Sequence, residues 1–276
     1  MITNYKNAVE NIRRELKHYV MQSGLKSLVV GMSGGIDSAL TAALAKPVCE
    51  ELGIPLIGRS ITILTNKPDE IERARQMGRF FCTDFEDVNL SHGFELLAAF
   101  AVEEWDSEDR QSFDFKIRMG NIKARTRMVY LYDLAAKHKG MVLSTDNYTE
   151  LLLGFWTLHG DVGDYGMIQN LWKTEVYEMA RYMASQMADT DAAAALLSCV
   201  NAVPTDGLGI TNSDLDQIKA GSYEEVDQIL IEMMRKSEKG KSLENHPVVQ
   251  RNRRSEFKRS NPYNLPRNMI TETPLY

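Results

Sequence analysis

Apolar and polar positions alternate with a helical period near the start of the chain. The apolar residues recur every three or four positions between charged ones and predict an amphipathic first helix: Val9, Ile12, Leu16, Tyr19 and Val20. A short apolar run follows at 27–32, and a glycine-rich loop separates it from 39–52, a segment rich in helix formers. This order predicts a buried strand, a glycine loop and a second helix.

The alternation of strands and helices continues through the first half of the chain. Apolar runs predict strands at 54–63, 85–90 and 141–144. Helices are predicted from Pro68, at 94–105 and at 117–139, with a polar loop at 107–112. From Thr174 on, the pattern predicts helices without clear strands. The expected fold class is therefore α/β, a doubly wound, mostly parallel and Rossmann-like sheet with a helical C-terminal part.

Composition narrows the class of protein. With 276 residues, 43% of them hydrophobic and 25% charged, the chain has the makeup of an ordinary globular protein. No repeat or shift in composition marks a second domain, so residues 1–276 are expected to form a single domain. The net charge of −6 argues against a general nucleic-acid binder. Residues 1–15 are too polar for a signal peptide, and no apolar run approaches the ~20 residues that span a bilayer. The three cysteines lack CxxC or zinc-ligand spacing, which favours a reducing compartment, and we expect a cytoplasmic protein with no membrane partner.

The strongest chemical signal is the glycine loop Ser33-Gly34-Gly35-Ile36-Asp37-Ser38. A loop that leaves a buried strand and enters a helix presents unpaired backbone N–H groups, which bind phosphate oxygens. A carboxylate is favourable beside phosphates only with a cation between them, so Asp37 predicts a Mg²⁺ ligand. The loop is not a Walker loop, because the lysine of that motif is absent. The alternative is an ordinary strand-to-helix turn with a serine cap.

The whole string resembles the SGGxDS loop of the ATP pyrophosphatase superfamily, or PP-loop superfamily, whose members split ATP into AMP and pyrophosphate and adenylate a substrate oxygen. Further segments resemble, in order and spacing, the ammonia-dependent NAD synthetases: 121–128, 144–150, 160–164, 173–176, 204–205, 222–227 and 257–259. The resemblance implies an adenine nucleotide alpha-hydrolase-like fold. It also implies that ATP adenylates the nicotinate carboxylate of deamido-NAD, that ammonia displaces AMP to give NAD, and that two copies form a homodimer.

The resemblance also implies site residues. For ATP these are Gly31, Met32, Ser33, Gly34, Gly35, Ile36, Asp37, Ser38, Arg59, Thr145, Lys173 and Thr205. For deamido-NAD they are Arg125, Asp161, Asp164 and Lys258, and for Mg²⁺ they are Asp37 and Glu150. Catalytic roles are implied for Lys173, beside the leaving pyrophosphate, and for Asp161 or Asp164, beside the incoming ammonia. Judged on residue chemistry alone, each of these charged side chains could instead be solvated, and the aspartates could bond their own backbone in a turn.

Four departures from the family pattern are visible. Leu158 or His159 stands where the family has a lysine, Val162 interrupts its GDGG run, and Phe257 replaces the histidine of its HKR string. Arg59 begins a segment, RSIT, that replaces the family's RLPY. The ATP side of the predicted site is intact, and the altered positions lie mainly on the dinucleotide side.

Three rival functions stay open: another PP-loop amidotransferase or ligase with a different carboxylate substrate, a tRNA-thiolating enzyme, and a nucleotide sensor without turnover. Thiolation usually needs reactive cysteines and a basic surface for RNA, and the acidic chain shows neither. A sensor would have less need for two metal carboxylates, so Asp37 and Glu150 together favour an enzyme. No glutaminase segment is recognisable, which makes ammonia, free or from a partner protein, the expected nitrogen source.

Overall fold

Five parallel strands form the central sheet, in a computed structural model that describes residues 1–64, 66–102, 109–205, 213–235 and 238–272. The strands are β1 (Leu28–Gly31), β2 (Leu56–Thr62), β3 (Asp84–Asn89), β4 (Met141–Ser144) and β5 (Tyr165–Gly166). Their order across the sheet is β3-β2-β1-β4-β5, so β1 lies at the centre. Sequence reasoning missed β5, because its two residues are too few to show a pattern.

Helices follow and connect the strands. They are α1 (Tyr5–Ser23), α2 (Ile36–Leu52), α3 (Pro68–Phe81), α4 (Ser91–Ala101), α5 (Phe113–Lys137), α6 (Tyr148–Leu153), α7 (Lys173–Gln186), α8 (Thr190–Val200), α9 (Asp214–Ile218), α10 (Tyr223–Met234), α11 (Glu238–Ser242), α12 (Pro247–Arg254), α13 (Glu256–Arg259) and α14 (Arg267–Ile270). The predicted doubly wound α/β class with a helical C-terminal part is confirmed. The helix predicted at 94–105 begins at Ser91, and positions 103–108, which include the start of the predicted loop, lie outside the described residues.

Helices cover both faces of the sheet because alternate residues of each buried strand point to opposite sides. On β1, Leu28 and Val30 pack with α1, α2, α3, α7 and α8, whereas Val29 packs with α4 and α5. Each strand side chain therefore enters one of two apolar cores. Burial on both faces explains why the strands read as continuous apolar runs.

A third apolar core lies among the C-terminal helices. It brings residues of α6 together with residues of α9, α10 and α12: Leu152, Leu153, Ile218, Val226, Leu230, Val248 and Val249. Because α6 directly follows β4, this core fixes the C-terminal helices beside the end of the sheet. In the part of the chain that the structure describes, no helix is long and apolar enough to cross a membrane.

Candidate active site

A cavity of about 390 Å³ opens at the carboxyl ends of the strands, where β1 is flanked by β2 and β4. After β1 the chain continues to β2, and after β4 it continues to β5, so the two connections run in opposite directions along the strand order. The position between β1 and β4 is therefore the topological switch point, where α/β proteins bind ligands. The cavity is lined by the glycine loop, by parts of α5, and by residues 154–157 and 202–205. The predicted ATP residues Gly31 to Ser38, Arg59, Thr145, Lys173 and Thr205 all line it.

The glycine loop turns sharply between β1 and α2. Gly34 has φ +80°, and a Cβ built there would lie 2.1 Å from the carbonyl oxygen of Glu70. The Ser38 hydroxyl accepts from the amide of Ser33 at 3.2 Å and lies 3.0 Å from the hydroxyl of Ser33. Gly35 caps α2 without a side-chain hydrogen bond, so the N-terminus of this helix meets the cavity uncapped, an arrangement that favours a bound anion.

Replacing Gly34 with alanine is expected to destabilise the loop. The new methyl group combines a left-handed backbone with a clash against α3, and we expect the free energy of unfolding to fall by roughly 3 kcal/mol or more. Gly24 is the matched control, since it also has a positive φ, +66°, but a Cβ there would have no neighbour within 4 Å among the described residues. Gly24→Ala should cost only about 1 kcal/mol. Equal losses of the two variants in urea unfolding would contradict the close approach of the loop to α3.

A buried lysine joins the two predicted metal ligands. Lys173, the first residue of α7, is 2% exposed, and its Nζ lies 2.5 Å from Oδ2 of Asp37 and 3.0 Å from Oε1 of Glu150. Asn147 donates from Nδ2 to Oδ1 of Asp37 at 2.8 Å. Side chains from three separate segments thus converge on one point beside the glycine loop.

Burial and mutual charge shift the titration of this group. Burial, with the nearby Asp37 carboxylate, raises the pKa of Glu150 to about 7. Burial alone would lower the pKa of Lys173, but Asp37 and Glu150 outweigh it and raise that pKa well above its usual value. Lys173 is therefore a permanent cation, and Glu150 changes charge near neutral pH.

The backbone positions of these residues are fixed by Asp227, a fully buried carboxylate of α10. Asp227 accepts from the hydroxyl of Thr149 at 2.5 Å and from the amide and hydroxyl of Thr174 at 3.0 and 2.8 Å. The amide of Lys173 in turn donates to the hydroxyl of Thr149 at 2.9 Å. Asp227 therefore ties the start of α6, which carries Glu150, to the start of α7.

The two predicted catalytic aspartates have different surroundings. Asp161 lines the cavity and accepts from the amide of Thr157 at 2.6 Å, and burial raises its pKa. Asp164 is exposed and does not line the cavity. It accepts from the hydroxyl of Tyr132 at 2.7 Å and from the amide of Val142 at 3.0 Å. These contacts connect the residue before β5 to α5 and β4. The structure thus brings Asp161 to the site and leaves Asp164 outside it.

The predicted arginine contacts are also divided. Arg125 is exposed, lies outside the cavity lining, and donates to the carbonyl oxygen of Leu158. Arg127 lines the cavity instead and donates to the side chain of Asn66 at 3.1 Å. Arg59 lines the cavity, but its guanidinium donates to the carboxylate of Asp84 at 2.9 Å.

The other predicted side chains lie at the cavity wall. Thr145 is half-buried directly after β4, and Thr205 donates to Oε1 of Glu70 at 2.7 Å. Lys258 also lines the wall and donates to the carbonyl oxygens of Gly154, at 2.7 Å, and Trp156.

Sequence reasoning missed Asp146 and Asn147. Asp146 is 8% exposed and lines the cavity, and burial, with repulsion from Asp161 and Glu150, raises its pKa well above the usual range. Both residues lie within three positions of the end of β4, at the carboxyl edge of the sheet where parallel α/β proteins bind ligands. That position was the signal that could have identified them.

The carboxylate pair is chemically suited to Mg²⁺. Asp37 and Glu150 offer hard oxygen ligands, and the ammonium of Lys173 between them shows that this point accepts positive charge. Across the described residues, no three His, Cys, Asp or Glu side chains form a metal-binding group. Mg²⁺ commonly takes one or two carboxylates together with substrate oxygens and water, and Asp37 and Glu150 would supply the carboxylates here.

The NAD synthase family model matches residues 8–262. This chain belongs to the NAD synthase family. An NH(3)-dependent NAD(+) synthetase from Thermoplasma acidophilum is 32% identical over 265 residues, which cover 95% of this chain and 98% of the relative. The NMN synthetase from Francisella tularensis has a similar structure, with a TM-score of 0.76 and 25% identity over 100% of both chains. The NAD+ synthetase from Burkholderia pseudomallei has a TM-score of 0.69 and 25% identity over 95% of this chain and 92% of its own.

Proposed function

We propose that this chain is a ligase that amidates deamido-NAD with ammonia, at the expense of ATP, giving NAD, AMP and pyrophosphate. The observation that carries the proposal is the convergence of Asp37, Glu150 and Lys173 beside the uncapped glycine loop, in a chain of the NAD synthase family. Curated relatives that match nearly the full chain are described as NH(3)-dependent NAD(+) synthetases.

Adenylation uses positioning and charge rather than a protein nucleophile. A nicotinate carboxylate oxygen attacks the α-phosphorus of ATP, and the bond to the β-phosphate oxygen breaks. The glycine loop amides and Lys173 stabilise the negative charge that collects on the departing pyrophosphate. Asp37 and Glu150 would hold Mg²⁺, which when bound neutralises phosphate charge.

Amide formation is the second step, and we place it beside Asp161. Ammonia attacks the carbonyl carbon of the acyl adenylate, the carbon–oxygen bond to AMP breaks, and one proton must leave the nitrogen. Asp161 is suited to accept this proton, because it lines the cavity and burial raises its pKa. Asp164 is not used in this scheme, since its carboxylate is engaged at the sheet edge.

The second candidate function is the same amidation on nicotinate mononucleotide, giving NMN. The favouring observation is the similarity to the NMN synthetase of Francisella tularensis over the full length of both chains. The departures at Leu158, Val162 and Phe257, on the side expected to hold the dinucleotide, are consistent with a smaller substrate.

One incubation series separates these functions. The purified protein is mixed with ATP, Mg²⁺ and ammonium, and with either deamido-NAD or nicotinate mononucleotide, and AMP and the amide products are quantified. The preferred substrate is the one with the higher kcat/KM. AMP without either amide product would indicate a different carboxylate, and no AMP would indicate a nucleotide sensor.

We further propose a homodimeric cytoplasmic protein with one domain. Large apolar side chains are exposed on α4 and α5, among them Leu96, Leu97, Phe100 and Val129, and a second copy would cover them. The three free cysteines fit a reducing compartment. Sedimentation velocity tests the oligomeric state, and a monomer at micromolar concentration would contradict the dimer.

A further inference from the structure

One wall of the cavity carries two cations that no carboxylate of the described residues neutralises directly. Arg251 of α12 and Lys258 of α13 both line the cavity. Arg251 donates to the carbonyl oxygen of Leu153 at 3.2 Å, and Lys258 donates to the carbonyl oxygens of Gly154 and Trp156. Within the described ranges, neither cation has a carboxylate oxygen within 4.0 Å, although Asp161 and Asp214 act on them from further away.

Aromatic rings and an indole N–H complete this wall. The Arg251 guanidinium lies 4.9 Å from the ring centroid of Phe155, and Lys258 Nζ lies 5.5 Å from that of Trp156. These contacts hold both cations in place. The Nε1 of Trp156 is buried and has no hydrogen-bond partner among the described residues, and Trp156 is one of the residues that line the same cavity. A buried donor without an acceptor costs free energy unless a ligand supplies one.

We propose that Trp156, Arg251 and Lys258 form an anion subsite for the phosphate attached to the nicotinate riboside of the substrate. This inference rests on the proposed function. It adds Trp156 and Arg251 to Lys258, which the family resemblance already implies for deamido-NAD, and it assigns the three to one phosphate. Two cations and one neutral N–H match the charge and the several acceptor oxygens of a phosphate. The substrate carboxylate must reach the α-phosphate of ATP beside the glycine loop, so its phosphate must lie on another wall. Burial lowers the pKa of Arg251 and of Lys258, and a bound anion would oppose this effect by favouring their charged forms.

A second cavity adjoins the proposed subsite. This cavity, of about 550 Å³, shares Gly154, Arg251 and Lys258 with the first and extends toward Lys219 and Arg254. Arg251 and Lys258 therefore belong to the walls of both cavities. The phosphate of a mononucleotide would lie beside Arg251 and Lys258. The rest of a dinucleotide would extend beyond these residues into the second cavity.

The test compares ligands with and without the phosphate. Binding of nicotinate mononucleotide and of nicotinate riboside is measured by calorimetry, in the presence of Mg²⁺ and α,β-methylene-ATP. The wild-type protein should prefer the phosphorylated ligand by about 100-fold, and Arg251→Gln should reduce that preference by about tenfold to 100-fold, because a charge-assisted contact is lost. Trp156→Phe keeps an aromatic ring at this position and removes the N–H, and it should reduce the preference by about fivefold to tenfold.

Arg253→Gln is the matched control. Arg253 lies on the same helix, pairs with Glu244 at 3.3 Å and lines neither cavity, so its removal should leave the preference unchanged. A wild-type protein that binds both ligands equally would overturn the subsite, as would variants that keep the full preference. Weaker binding of the ATP analogue in Arg251→Gln, with the preference retained, would assign the wall to ATP and overturn the proposal as well.

Deamido-NAD extends the test and separates its failure from that of the proposed function. The phosphate attached to the nicotinate riboside is present in both nucleotides. Arg251→Gln should therefore weaken the binding of deamido-NAD and of the mononucleotide by similar factors. A loss confined to deamido-NAD would overturn assignment to that phosphate. If wild-type protein forms neither NAD nor NMN, the proposed function fails, whereas the binding preference still decides the subsite. Thermal unfolding of each variant confirms that it is folded.

Discussion

Replacing Asp37 with asparagine is expected to lower the rate of AMP formation by about a thousandfold. The substitution keeps the shape of the side chain and removes one of the two carboxylates at the proposed Mg²⁺ site. It also removes the closer partner of Lys173, at 2.5 Å, so the lysine would be drawn toward Glu150 and away from the phosphates. Loss of a single preorganised charge contact at a developing anion costs about 10²–10³ in kcat, and here two effects combine. Single-turnover release of pyrophosphate measures this step directly.

The matched control for Asp37→Asn is Asp191→Asn. Asp191 is the second residue of α8, as Asp37 is the second residue of α2, but its side chain is exposed and lies outside the cavity. Any general effect of removing a carboxylate from the first turn of a helix should appear in both variants. Pyrophosphate release that continues at the wild-type rate in Asp37→Asn would exclude this residue from the metal site.

The order of strands and helices was readable from the sequence because each buried strand is a short apolar run and each helix has an amphipathic or helix-forming pattern. Boundaries were less accurate where capping decides them. The helix predicted from residue 117 begins at Phe113, because the Ser112 hydroxyl accepts from the amide of Phe115 at 3.2 Å. A serine in a polar stretch gives no periodic signal, so this start was not visible.

The placement of site residues depended on their position relative to the sheet. Asp37 and Glu150 follow β1 and β4, which are neighbours in the sheet, and the carboxyl-edge rule predicts that they meet. Asp164 follows a turn whose geometry the spacing alone does not determine, and it faces Tyr132 and the strand edge instead. The sequence also does not show which face of a helix turns toward the cavity. For that reason it did not predict that Arg127, rather than Arg125, lines the cavity.

Contacts between remote segments could not be predicted from local pattern. Asp227 sits 78 positions from Thr149, yet its carboxylate bonds both Thr149 and Thr174. A buried aspartate on a helix of mixed composition looks like a solvated one until the partner helices are placed. Arg251 and Trp156 were not predicted for the same reason, because they lie far apart in the sequence and line the same cavity only in the folded chain.

Replacing Lys173 with methionine is expected to destabilise the protein by about 3–5 kcal/mol at pH 8, because it leaves two carboxylates buried together without their cation. The loss should be smaller at pH 6. Glu150 already binds a proton more readily in the folded protein, where its pKa is about 7, than in the unfolded chain, where it is near 4.5. A folded state that holds the extra proton loses stability as the pH rises between those values. Without Lys173 the pKa of Glu150 must rise further, which extends this loss above pH 7.

Urea unfolding at pH 6 and pH 8 measures this difference, with Lys17→Met as the control. Lys17 pairs with Glu51 on the exposed surface, so its removal should cost less than about 1 kcal/mol at either pH. The double variant Lys173→Met, Glu150→Gln should recover part of the lost stability, since one of the two uncompensated charges is gone. Added Mg²⁺ should stabilise Lys173→Met more than the wild-type protein, because the lysine no longer competes for the carboxylates. A pH-independent loss, unaffected by Glu150→Gln or by Mg²⁺, would mean that Lys173 stabilises the fold through packing alone.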